Sequence, residues 1–160
     1  MIHPTVLHRL LPTIIPLVCD WVWSVEKDLW NFARPLTNDE RTGAVQMGVQ
    51  KPESLRVAIV DKLPEPSAEL NHLAEQLRIF TPMTASMTYN RLIVIKRGAP
   101  LHDQMILHCL AHAMQIERCG SLRAFLREYL EQCLEYGKEN CPMEMEVRSK
   151  VSQLCAAVNI

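Results

Sequence analysis

Apolar residues recur at the period of an α-helix near the start of the chain. The repeated positions are Leu17, Trp21, Val25 and Leu29. A four-residue spacing places such side chains on one face of a helix. Pro16 suits the first turn of this helix, and Pro35 is expected to end it. The pattern therefore predicts an amphipathic N-terminal helix that leads into the rest of the chain.

The middle of the chain changes to patterns that are typical of strands. Residues 55–60 form an apolar, β-branched run, which predicts one strand. Residues 87–89 and 92–95 flank Asn90, a residue that tolerates the backbone of a tight turn, and so predict a hairpin. Two capping patterns mark short helices before and after the first strand: Thr37 with Glu40, and Ser67.

The last third of the chain is helical in pattern. A helix is predicted from about Leu101 to Cys119, where Gly120 closes it. Ser121 caps a second helix, and a third begins near Pro142. The whole pattern predicts an α+β fold with a mainly helical core.

Length and composition indicate one ordinary globular domain. At 160 residues, 48% hydrophobic and 22% charged, the chain can bury one core. We expect a single domain over residues 1–160, with the N-terminal helix and its lead-in at 1–35 and the core at 36–160. A net charge of −1 without a basic stripe argues against a nucleic-acid partner. Six scattered cysteines, none in a C-x-x-C pair, suggest reduced thiols and a cytoplasmic location.

The apolar N-terminal stretch raises the question of a membrane. Pro12 and Pro16 interrupt it, so we expect neither a secretory signal nor the roughly 18 apolar residues of a membrane span. A second interpretation is peripheral membrane contact through Trp21, Trp23 and Trp30. The small number of nearby cations counts against it.

The candidate chemistry lies in residues 106–115, Ile-Leu-His-Cys-Leu-Ala-His-Ala-Met-Gln. His108 and His112 are four residues apart, so both imidazoles can reach one metal at about 2.0–2.1 Å. In H-E-x-x-H enzymes, the residue after the first histidine is the glutamate that takes a proton from the attacking water. Here that residue is Cys109. The pattern keeps the metal ligands and lacks the general base.

In these and other segments the chain resembles the small bacterial zincin-like proteins whose signature is H-E-L-x-H-x-x-Q-Y-E-R-L-G-G. The similar segments follow in order along most of the chain: residues 34–37, 56–60, 85–89, 92–95, 108–115, 117–120, 125–130 and 141–146. The chain departs from the pattern at Cys109, at Ser86 and Asn90 in place of hairpin glycines, and at Val147 in place of an alanine.

The resemblance implies a zincin-like fold, in which a small antiparallel sheet packs beside the metal-site helix. It also implies that zinc, or another divalent metal, is held by the two histidines and by a third ligand from a later helix. The strand from Leu92 to Ile95 would line the cleft. There a small molecule, or a peptide that adds by strand pairing, would be the substrate.

Two glutamates compete for the position of third ligand. Glu144 and Glu146 are two apart on a helix and point in roughly opposite directions. If Cys141 is the N-cap and Pro142 the first helical residue, Glu144 is at the third position, where a carboxylate commonly bonds back to the cap. Glu146 is then free to turn inward. We therefore expect Glu146 as the ligand, with Glu144 as the alternative.

Two further residues are candidates for catalytic roles. Cys109 has three interpretations: a thiolate ligand of the metal, a nucleophile activated by the metal, or a small packed residue. Tyr89, beside the cleft strand, could donate to an oxyanion or simply pack across the hairpin.

These observations predict a metal-dependent enzyme of metallopeptidase ancestry that is not an ordinary protease. The metal would act as a Lewis acid on a small or peptide-like substrate. One alternative is an inactive pseudopeptidase that serves as a binding module. Another is a weak residual peptidase that recruits a different base, such as Asp103.

Overall fold

A four-stranded sheet is the framework of the fold. The computed structural model describes residues 1–100 and 102–158 and is α+β. The strands are β1 (Arg34–Pro35), β2 (Arg56–Val60), β3 (Ser86–Tyr89) and β4 (Leu92–Lys96). They lie in the order β1-β2-β4-β3.

Six α-helices accompany this sheet in the described part of the chain. They are α1 (Pro4–Leu29), α2 (Asn38–Met47), α3 (Ala68–Gln76), α4 (His102–Cys119), α5 (Leu122–Tyr136) and α6 (Pro142–Val158). The predicted caps are confirmed: Thr37 forms a capping box with Glu40, and the hydroxyls of Ser67 and Ser121 accept backbone N–H groups of α3 and α5. The helix start predicted at residue 101, and the end of the domain at residues 159–160, lie outside the described residues.

The sheet is mixed, so the expectation of an antiparallel sheet is wrong. The pairs β1–β2 and β3–β4 are antiparallel, but β2 runs parallel to β4. Parallel neighbours need a crossover connection, and the segment that contains α3 provides one. The predicted hairpin is confirmed, since Tyr89 pairs with Leu92 and Asn90 has a φ of 60°.

Strand β4 lies at the centre of the sheet and is buried on both faces. Leu92 and Val94 belong to the apolar cluster formed with α1 and α5. Ile93 and Ile95 belong to a second cluster, formed with α2 and α4. Because β2 and β3 already pair with both edges of β4, a substrate cannot add to this strand. The expectation that an extended peptide substrate would pair with the strand Leu92–Ile95 is therefore wrong.

Helix α1 begins at Pro4 rather than near Pro16, and it contains both Pro12 and Pro16. A proline in a helix interior costs about 3 kcal/mol, because it removes a hydrogen bond and crowds the preceding turn. Burial of an apolar stripe along the whole helix offsets this cost: Leu7, Leu11, Ile15, Cys19, Val22 and Val25. Leu17, expected on the buried face, is 52% exposed.

By length and composition alone, the segment from Pro4 to Phe32 is apolar enough to cross a membrane. The expectation that no such run exists is therefore wrong. This is weak evidence for a span, since core helices and signal sequences share the same properties. The inner face of α1 packs against the apolar cluster on α5 and β4.

Candidate metal centre

Helix α4 brings the two predicted histidines together. His108 and His112 lie one helical turn apart, and their Nε2 atoms are 3.1 Å from each other. The side chain of His108 is 38% exposed and that of His112 is 13% exposed. The pair therefore forms a partly open surface rather than a sealed core site.

The carboxylate of Glu144, on α6, faces both histidines. Its Oε2 is 3.5 Å from His108 Nε2, and its Oε1 is 3.3 Å from His112 Nε2. The start of α6 is fixed by α5, because Gln132 Oε1 accepts the backbone N–H of Met143 at 3.0 Å and the thiol of Cys141 at 3.3 Å. This contact sets the direction in which the first turn of α6 presents Glu144.

Tyr129, on α5, holds the carboxylate of Glu144. Its hydroxyl donates to Glu144 Oε1 at 2.6 Å. The ring of Tyr129 stacks on Phe125 at 5.5 Å and meets His112 edge-on at 5.8 Å. Burial and the neighbouring Glu144 raise the pKa of Tyr129, so its hydroxyl keeps its proton and acts as a donor.

Tyr129 belongs to the buried apolar stripe of α5, and the sequence analysis assigned it no role at the site. A tyrosine at a stripe position carries a hydroxyl that needs a partner when it is buried. That requirement was the available signal.

Glu146 is turned away from the histidines, so its choice as the third ligand is wrong. Both of its carboxylate oxygens pair with the guanidinium of Arg118, at 2.6 and 2.8 Å. The two glutamates do point in opposite directions, as their spacing predicts, but the assignment is reversed. The reason is that the backbone N–H of Cys141, to which Glu144 was expected to bond back, donates instead to the carbonyl of Lys138 at 3.3 Å. Glu144 is therefore free to face the histidines.

A chain of hydrogen bonds fixes the tautomer of His112. The Nε2 of Gln115 donates to the carbonyl of Met143 at 2.9 Å and to Glu146 at 3.0 Å. Since both partners are acceptors, the Oε1 of Gln115 is the atom that accepts from His112 Nδ1, at 3.0 Å. When His112 is neutral, this contact places its proton on Nδ1 and leaves Nε2 free to bind a metal. Gln115 thus supports the site through His112.

Two pKa shifts keep this cluster in the protonation states that bind metals. Burial and the neighbouring His112 lower the pKa of His108 to about 4. Burial acts to raise the pKa of Glu144, but the hydrogen bonds and charges of its neighbours, His112 first, hold it at about 2. At neutral pH, His108 is thus uncharged and Glu144 is ionised, as metal ligation requires.

The spacing of the three groups fits a small divalent cation. Two ligand atoms on one tetrahedral zinc, each about 2.0–2.1 Å from the metal, lie about 3.3–3.4 Å apart. The three contacts among His108, His112 and Glu144 measure 3.1, 3.3 and 3.5 Å. Two imidazoles and one carboxylate are also a donor set that zinc accepts in catalytic sites.

Cys109 lies outside this group. It is 1% exposed and packs in the cluster that contains Ile93 and Ile95. Burial raises the pKa of its thiol, so the thiol is protonated at neutral pH. This favours the interpretation of Cys109 as a packed residue over a thiolate ligand or nucleophile.

Tyr89 does not reach the histidines. It is fully buried, its hydroxyl donates to the carbonyl of Pro64 at 3.2 Å, and its ring meets Trp21 at 5.4 Å. The role of an oxyanion donor is therefore wrong for Tyr89, and packing accounts for it.

A mostly apolar cavity of about 160 Å³ adjoins the three groups. His108, His112 and Glu144 form its polar end. The remaining wall comes largely from apolar side chains of α1, α3, β3 and α5, among them Val18, Trp21, Leu73, Met87, Phe125 and Leu126. Lys138 also lines the cavity. The arrangement is a concave apolar site with a few convergent polar groups, which is the usual form of a small-molecule site.

No protein-family model, curated protein or solved structure matches the chain. The resemblance to zincin-like proteins therefore stays a prediction from sequence.

Proposed function

We propose that the chain is a divergent zincin-like protein that binds zinc, or another divalent metal, through His108, His112 and Glu144. In this proposal it is a metal-dependent enzyme that acts on a small or peptide-like substrate. The observation that supports it is the convergence of three ligand atoms, all within 4.8 Å of one another, at the end of a cavity.

His108, His112 and Glu144 would hold such a metal through three protein ligands, the number found in catalytic zinc sites, and would leave it open to substrate. A metal bound there supplies a Lewis acid that polarises a carbonyl or similar oxygen. The protein's part is positioning: Gln115 fixes the tautomer of His112, and Tyr129 orients Glu144. His108 is the most exposed of the three side chains.

An ordinary peptidase mechanism is not part of the proposal. Cys109 replaces the glutamate that would take a proton from water, and its buried thiol cannot act in that way. Asp103 was the other candidate base, but it is exposed in the first turn of α4 and is not among the cavity-lining residues. General-base help is typically worth about 10²–10⁴ in rate. Reactions that need carbonyl polarisation without a strong base on α4 therefore fit best.

The competing function is a binding module that keeps the old site without turnover. The replacement of the base by a packed cysteine favours this alternative. We place either form in the cytoplasm, because the cysteine pattern suits reduced thiols.

The first experiment is the metal content of the purified chain, measured by elemental analysis after exposure to equimolar zinc and removal of the excess. We expect about one zinc per chain in the wild type and strong loss in His108→Ala, His112→Ala and Glu144→Ala. The matched control is His72→Ala, which removes an exposed histidine on α3 and should keep the metal.

A wild type without zinc, or equal zinc in all variants, would overturn the proposed centre. If zinc binds as expected, turnover that disappears in His108→Ala supports the enzyme. A partner whose binding survives in the folded His108→Ala variant supports the binding module instead.

A further inference from the structure

The apolar cavity beside the candidate metal centre specifies what kind of molecule the centre would take. We propose that it holds a compact apolar group, about the size of a phenyl ring, that is attached to a carbonyl-type head facing His108 and Glu144. The substrate class is thus a small aromatic carbonyl compound, such as an aryl acid derivative or amide. This inference rests on the proposed function and extends it.

The volume of the cavity sets the size of the group. An apolar protein cavity of about 150 Å³ stays dry and accepts benzene. The cavity here has about 160 Å³, so it has room for one ring. Protein interiors are otherwise close-packed, so a void of this size beside a polar cluster indicates a binding site rather than a packing fault.

The chemistry of the wall sets the character of the group. Trp21 of α1, Leu73 of α3 and Phe125 of α5 face the cavity from three different helices. Most of this wall is apolar, although Thr84, Ser86 and Thr88 also line the cavity. A polar tail would therefore lose more hydrogen bonds to water than it regains, which carries a desolvation cost. Aromatic walls also favour an aromatic guest through edge and stacked contacts.

The polar end of the cavity sets the orientation of the bound ligand. The candidate ligands His108, His112 and Glu144 lie together at one end of the wall, and Lys138 lines the same cavity. The ammonium group of Lys138 adds a positive charge to this lining. An oxygen-rich head is therefore drawn to this end, while the ring points toward α1 and α3.

The test compares two ligands that share a metal-binding head and differ in the tail. Benzohydroxamate carries a phenyl group and acetohydroxamate a methyl group. Their binding to the zinc-loaded chain is measured by titration calorimetry. We expect benzohydroxamate to bind at least about 10-fold more tightly, because the phenyl group buries several more carbons.

Two matched variants test whether the preference for benzohydroxamate arises in the cavity. Val18→Phe fills the cavity from α1, whereas Val45→Phe makes the same change on the exposed face of α2, 60% exposed in the wild type. The preference for benzohydroxamate should fall below about threefold in Val18→Phe and stay unchanged in Val45→Phe. Zinc content should be equal in both.

The outcomes distinguish failure of this inference from failure of the proposed function. If zinc is taken up but the two hydroxamates bind equally to the wild type, the inference is overturned and the proposed function stands. If Val18→Phe keeps the full preference, the ring lies elsewhere, and the inference is likewise overturned. If no zinc is taken up, both proposals are overturned, because both require a metal at the polar end of the cavity. Benzene binding to the metal-free chain, followed by ligand-observed NMR in the same two variants, then reports whether the apolar cavity itself is real.

Discussion

The two faces of the central strand β4 are covered by different helices and filled to different degrees. Toward α2 and α4, Ile93 and Ile95 meet a closely packed layer. A Cβ atom added at Gly43 of α2 would lie only 3.0 Å from Leu107 of α4. On the other side, where α1 and α5 cover Leu92 and Val94, the walls leave a cavity of about 160 Å³.

The difference separates structure from candidate function within one domain. The α2–α4 face stabilises the fold and positions α4. The opposite face is not closely packed next to His108, His112 and Glu144, where the cavity lies. At the polar end of that cavity, His112 donates to Gln115, and Tyr129 donates to Glu144. The rest of the wall is mostly apolar and can select a ligand by shape. Substitutions at the polar end should lower zinc affinity, whereas substitutions in the packed face or the cavity wall should lower the free energy of unfolding by different amounts.

The largest effect is expected from Glu144→Ala on zinc affinity. Loss of one of three ligands should weaken binding by about 10³-fold or more, because two histidines alone leave the metal largely exchangeable. Glu146→Ala is the matched control, since Glu146 pairs with Arg118 instead of facing the histidines. Its effect should stay below about 100-fold. Competition with a chromophoric chelator measures both, and a larger loss in Glu146→Ala would contradict the assignment.

The second effect concerns stability and compares the two faces of the sheet directly. Leu110→Ala, at a fully buried position of the packed face, should lower the free energy of unfolding by about 3–4 kcal/mol. Leu73→Ala, in the cavity wall, should cost only about 1–2 kcal/mol, because one side of Leu73 already lacks contact partners. Urea unfolding of the two variants and the wild type gives the values. Equal losses would mean that the cavity is filled by packing in solution.

A third, smaller effect is expected at the support of His112. Gln115→Leu removes the acceptor of the Nδ1 proton and the link to Glu146. Loss of such an outer contact typically costs about 10–100-fold in metal affinity. Gln153→Leu makes the same change at an exposed position of α6 and should leave zinc affinity unchanged. An unaffected Gln115→Leu variant would mean that the tautomer of His112 is set by other contacts.

What the sequence predicted correctly is set by neighbours along the chain. The capping box at Thr37, the turn at Asn90 and the shared face of His108 and His112 all depend on residues within about one helical turn of one another. Local periodicity and turn chemistry suffice for such features.

What the sequence did not predict depends on how distant elements pack. The parallel pairing of β2 with β4 joins residues such as Val57 and Ile93, which lie far apart in the chain. The orientation of Glu144 depends on Gln132 and Tyr129, both on a different helix. Helix α1 continues through Pro12 and Pro16 because its burial, invisible in local propensity, offsets their cost. None of these contacts has a signature within a short window of sequence.

The smallest effect tests the pair that holds Glu146 away from the centre. Arg118 lowers the pKa of Glu146 to about 2, below its ordinary value of about 4.3. A carboxylate with a depressed pKa stabilises the folded state above about pH 4.3, and this stability is lost as the pH falls toward 2. Since the two side chains are 49% and 29% exposed, the contribution should be below about 1 kcal/mol.

Glu146→Gln should therefore show a shallower loss of stability between pH 5 and pH 3 than the wild type, in urea unfolding at both values. Glu53→Gln, at an exposed position before β2, is the control and should follow the wild type. A variant that loses stability as steeply as the wild type would mean that Glu146 and Arg118 are not paired in solution. Glu146 would then be free to compete with Glu144 for the histidines, and the distinction between the two glutamates would have to be abandoned.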